Sequence, residues 1–133
     1  MLRAAAVLPY RGEVPTTHPF YTLYNDINQR LDETGANEEG RDVIMRKRAL
    51  LAKEMREEWT KLWGELWKSN PEAVRDDPCL LACGDLLWVL SLVGGNERPK
   101  RLLQLDISAE RRSEYDAECA RLTGLARAAL DVA

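Results

Sequence analysis

ANEEGRDVIMRKRALLAKEMREEWTKLWGELWKSNP, residues 36–71, is the stretch whose reading decides the fold. Ile44, Leu51, Met55, Trp59, Leu62 and Leu66 recur in it at spacings of three, four or seven, acidic residues open it and Pro71 closes it. The pattern predicts one helix from about residue 39 to 69. Stepping about 100° per residue, Leu51, Met55, Leu62, Leu66, Trp63 and Trp67 fall within about 80° of Trp59. Lys53, Glu54, Glu57, Lys61, Glu65 and Lys68 fall on the other side, with acid-first pairs such as Asp42 with Arg46 and Glu57 with Lys61 supporting a solvated face.

Such a helix is about 45 Å long, whereas a compact domain of this size is about 36 Å across. One end must therefore overhang, bend or meet another chain, and Gly64 is the natural place for a bend. Trp59 lies at the centre of the stripe and is expected in the core. Trp67 lies at its edge near the helix end and is expected to face a partner, with Trp63 intermediate.

Outward from this helix the signals are weaker but of the same kind. Upstream, Thr17 or His18 and Pro19 start a helix whose Phe20, Leu23, Tyr24, Ile27 and Leu31 keep helical spacing until Gly35. Before it, Pro9, Gly12 and Pro15 break regular structure, so residues 1–17 read as an extended arm. Downstream, a short turn over PEAVRDD leads to Asp77 and Pro78, a cap and first-turn pair, and to a nearly continuous apolar helix ending at Gly94 and Gly95. RPKRLLQLDIS alternates as a strand would and offers a hairpin with LLWVLSLV. Helix or coil is preferred, because a lone hairpin leaves unpaired edges. Tyr115, Cys119, Leu122, Ala126 and Ala129 mark a last helix from about 108 to 131. The expected fold is all-α, a single-domain bundle of about four main helices over residues 18–133 with one long amphipathic helix and an N-terminal arm.

The 133 residues suffice for one domain with a real core, and a net charge of -3 gives no bulk attraction to polyanions. The odd number of cysteines, Cys79, Cys83 and Cys119, points to free thiols in a reducing compartment. The short apolar run at the start is cut by Pro9 and Tyr10, which argues against a signal peptide, and residues 79–93 carry Asp85, which argues against a membrane span. A cytoplasmic protein is expected.

His18 is the only histidine, which restricts triads and Glu-x-x-His di-iron sites, and before Pro19 it reads as a cap or loop residue. Cys79 and Cys83 with Cys119 and His18 would complete a Cys3His zinc set, but C-x3-C within an apolar helix reads as packing; no metal and no cofactor are expected. Neither GRDVIMRKR nor GGNERPK has phosphate-loop spacing. Arg41, Arg46, Lys47 and Arg48 invite a nucleic-acid reading, which the acidic balance disfavours. Arg48, on the apolar stripe, and Asp85, among Leu81, Trp88 and Leu92, are expected to be partly buried, paired with each other or meeting a binding partner.

The functional expectation is a non-catalytic helical protein-protein interaction module, a regulator, inhibitor or adaptor of the kind carried as accessory proteins by phages and mobile elements. Its partner is another protein or a further copy of itself, in a homo-oligomer or heteromeric complex, and Trp63, Trp67, Arg48 and Asp85 are the interface candidates. The alternative is a small-ligand or nucleotide binder with Trp59, Trp63 and Trp88 lining a pocket.

Overall fold

A computed structural model describes residues 14–93 and 108–131. Four α-helices and one 3-10 turn make up the regular structure among the described residues: α1 (Tyr21–Glu33), α2 (Glu38–Ser69), the turn Pro71–Arg75, α3 (Pro78–Leu92) and α4 (Ala109–Leu130). The all-α bundle is thus the fold. None of the helices is long and apolar enough to cross a membrane.

Each boundary has a local cause. Asn37 Oδ1 accepts the Gly40 N–H at 3.1 Å to start α2, and Asp77 Oδ2 accepts the Leu80 N–H at 3.0 Å to start α3 with Pro78 in its first turn. Gly35, at φ 52°, takes the left-handed position that stops α1, and Asp131, at φ 56°, does the same for α4. α2 spans 32 residues and runs unbroken through Gly64, which makes it about 48 Å long. LLWVLSLV lies within α3 up to Leu92, which removes the hairpin. The rest of the ambiguous segment, 94–107, and arm residues 1–13 lie outside the described residues.

Side-chain contacts fix the helix directions. Cys83 Sγ donates to Met55 O at 3.2 Å and Arg48 Nη1 to Leu90 O at 3.0 Å, so α3 runs against α2. Tyr115 meets Asp85 on α3, while Asp131, at the other end of α4, pairs with Lys47 beside Arg48; α4 therefore runs with α3. Asp26 to Arg127 at 2.8 Å and Arg30 Nη1 to Asp131 O at 3.1 Å align α1 with α4. The core between them holds Phe20, Leu23, Ile27, Leu51, Met55, Leu86, Val89, Leu90, Leu122 and Ala126.

Candidate functional site

Two groups of side chains stand apart from ordinary packing. The first is inside. Asp85, which the apolar pattern of α3 carries into the interior, is 0% exposed, and it is met there by Tyr115 of α4, 2% exposed, and His18, 4% exposed, from the turn before α1. His18 Nδ1 accepts the Phe20 N–H at 3.0 Å, which leaves the ring proton on Nε2. Nε2–H then donates to Tyr115 Oη at 2.9 Å, and the phenol donates to Asp85 Oδ2 at 2.6 Å. Nε2 and Asp85 Oδ2 are 3.6 Å apart. Burial, reinforced by the Asp85 carboxylate, pushes the Tyr115 phenol far above its ordinary range, so it stays a donor. Every donor in the chain faces an acceptor, and the low exposure of all three side chains keeps solutes away from it in this conformation. Such a network specifies how the core closes.

His18 therefore lies in the turn before α1, one of the places its position before Pro19 suggests, and its ring braces that turn through the Phe20 N–H, but it also joins a network that local sequence does not show. Tyr115 falls on the buried stripe of α4, and a tyrosine there, with a phenol to satisfy, is the one signal that points to a polar partner.

Arg48 and Asp85 do not pair, which corrects the expected ion pair. Arg48 instead donates to the Leu90 carbonyl in the last turn of α3, which also accepts the Val93 N–H and where the helix dipole favours a cation. Its Nε is buried with no hydrogen-bond partner among the described residues, and burial lowers its basicity. Of the basic cluster, Lys47 is held by Asp131 and Arg48 by Leu90, so both serve the fold.

The cysteines are free thiols: Cys79 is exposed, while Cys83 and Cys119 are buried. Burial raises Cys83 to about 11 and Cys119 to about 12. Cys79 is raised as well, by burial and then by Glu118. No activated thiolate results. Among the described residues no group of His, Cys, Asp or Glu is placed to hold a metal ion.

The second group is outside. Trp59, Trp63 and Trp67 stack along α2, with ring centroids 6.5 Å apart at 21° for the first pair and 5.2 Å apart at 7° for the second. A four-residue step turns a helix by about 40° beyond a full turn, so a row of two such steps drifts off the core face by about 80°. Trp59 lies over Gly84 of α3, where an added Cβ would approach its Nε1 to 3.3 Å. It is half-buried, short of the full burial expected. Trp63 is also half-buried, whereas Trp67 is 54% exposed. Beside Trp67, a cleft of about 530 Å³ is lined by Pro71, Glu72, Arg75 and Asp76. Trp88 is 2% exposed and lies in the core, so it shares no cavity with Trp63 or Trp67. Of the four interface candidates, Trp63 and Trp67 stack on each other, while Arg48, half-buried, and Asp85, fully buried, stand apart from them and from one another.

The chain matches no family model, no curated protein and no solved structure in the comparisons made.

Proposed function

We propose that this chain is a non-catalytic helical interaction module that binds another protein through the Trp63 and Trp67 end of α2, in the manner of a small regulator or adaptor. The observation that carries the reading is the stacked pair itself. The pair presents a rigid indole surface with Trp67 54% exposed, at the end of a helix too long to be covered by its own bundle. Exposed tryptophan is costly in a protein that meets no partner, and indoles are enriched among residues that dominate binding energy.

The test is affinity capture from the native host with the wild-type chain and Trp67→Ala, after circular dichroism has shown equal folding. A partner retained by the wild type and lost by the variant supports the reading; identical retained sets overturn it. The cleft beside Trp67 favours a second reading, a small charged ligand seated on the indole between Arg75 and Glu72. A thermal-shift screen with nucleotides and metabolites addresses it: a rise in melting temperature that Arg75→Ala abolishes would support this ligand, and no rise with any compound would remove it.

A further inference from the structure

We propose that α2 pairs with α2 of a second copy of this chain, antiparallel, about a twofold axis at Thr60. The inference rests on the interaction reading above and names its partner.

On the solvent side of α2, Lys53, Thr60 and Trp67 recur at seven-residue spacing, with Arg56 and Glu57, then Trp63 and Gly64, between them. These positions share one face of the helix, a seam whose apolar groups are the two indoles. It lies about 160° around the helix from the line of Ile44, Leu51, Met55 and Leu62 that faces the core. Lys53, Arg56, Glu57, Thr60 and Trp67 are exposed, Trp63 and Gly64 are half-buried, and a Cβ on Gly64 would meet nothing within 4 Å. The hydroxyl of Thr60 already donates to Arg56 O at 2.9 Å, so covering it strands no donor.

The seam is complementary to itself in one orientation. Its first half carries Lys53 and Arg56 with one acid, Glu57, its second half carries the two indoles, and the two halves are equally distant from Thr60. An antiparallel copy turned about Thr60 sets Lys53 level with Trp67, Arg56 level with Gly64 and next to Trp63, and Glu57 level with Trp63, and by symmetry does so twice. The aliphatic stems pack on the indoles and the charges meet the rings. On the flank, Glu57 of each copy falls beside Lys61 of the other. Leu50, 61% exposed with no other role in the fold, comes level with Asn70 and Pro71 of the other copy, at the cleft beside Trp67. A parallel copy would instead set Lys53 on Lys53 and Arg56 on Arg56. The same charges that favour the antiparallel pair therefore oppose the parallel one.

The experiment uses the full chain. Sedimentation equilibrium over a wide range of concentration is expected to show a reversible monomer–dimer equilibrium. Trp67→Ala is expected to weaken it by about thirtyfold for each of the two rings lost, about a thousandfold in the dimer. Lys53→Glu should weaken it as well, and circular dichroism checks that each variant folds. In a Cys79→Ser background, Thr60→Cys should cross-link to its own copy on oxidation. Arg56→Cys should not, because its counterpart lies about 12 Å away along the seam. A chain that stays monomeric, a dimer indifferent to Trp67→Ala, or cross-linking through Arg56→Cys as readily as through Thr60→Cys each overturns the inference. A monomer whose wild-type capture of a different protein is still lost in Trp67→Ala overturns the inference and leaves the interaction reading standing. A Trp67→Ala chain unchanged in every association overturns both.

Discussion

Replacing Tyr115 by Phe removes one oxygen from the centre of the bundle and leaves the ring in place. That oxygen donates to Asp85 Oδ2 at 2.6 Å and accepts from His18 Nε2 at 2.9 Å, and all three side chains are buried. A hydrogen bond to a charged group contributes about 1.5–3 kcal/mol, and a buried donor left without an acceptor costs about 1–3 kcal/mol. The gross loss is therefore about 2.5–6 kcal/mol. His18 Nε2 can recover part of it by closing the 3.6 Å gap to Asp85 Oδ2, so we expect a net cost of about 3 kcal/mol. That is a large share of the stability of an ordinary domain. Urea unfolding followed by tryptophan fluorescence and circular dichroism measures it, and a cycle with Asp85→Asn isolates the coupling, expected at about 1.5 kcal/mol or more. A cost below about 1 kcal/mol that simply adds to that of Asp85→Asn would refute the network, because it would mean that water satisfies these groups.

Trp59→Ala, which empties the space over Gly84, should lower the melting temperature sharply, whereas Trp67→Ala should change it little and act on association. Equal losses of stability with unchanged association would place both rings in the core. Gly35→Ala should cost about 1 kcal/mol, since Gly35 sits at positive φ. Gly124→Ala, where a Cβ meets nothing within 4 Å in the middle of α4, should instead stabilise by about 0.5–1 kcal/mol; chemical denaturation of the two variants reads both signs. Stability should fall as pH rises above 9.0, the ordinary value for these thiols, toward the raised values of about 11 for Cys83 and about 12 for Cys119. The sign follows because the unfolded chain releases those protons first while the folded chain retains them. A Cys83→Ala, Cys119→Ala variant should show a flatter alkaline limb in unfolding measurements, and a limb unchanged in slope would refute the assignment.

The helices were legible because their determinants are local. Asp77 and Pro78 mark a start, Gly35 and Pro71 mark stops, and the apolar spacing of α2 and α4 reports which face turns inward. The drift of Trp59, Trp63 and Trp67 is equally a property of one helix, and the sequence alone orders their exposure. Pairings between helices were not legible. Periodicity carries Arg48 and Asp85 inward but says nothing of what meets them there. Arg48 meets a main-chain carbonyl, which no pattern of side chains encodes, and Asp85 meets a phenol and an imidazole brought from opposite ends of the chain. Proximity of type, one buried cation and one buried anion, was a poor guide because hydrogen-bond satisfaction and not net charge selects buried partners.

The Asp85 network also has a consequence in time. Tyr115 follows Asp85 by 30 residues and His18 by 97, so during synthesis the carboxylate and the apolar face of α3 emerge well before the helix that supplies the phenol. Until α4 leaves the ribosome, the side of α3 that α4 covers is open and Asp85 lacks its Tyr115 donor. This is the kind of surface that chaperones shield and that aggregates in their absence. A chain cut anywhere between Val93 and Tyr115 should accordingly fail to yield a soluble half-domain, and adding back α4 as a separate peptide should restore folding only at concentrations high enough to replace the lost tether.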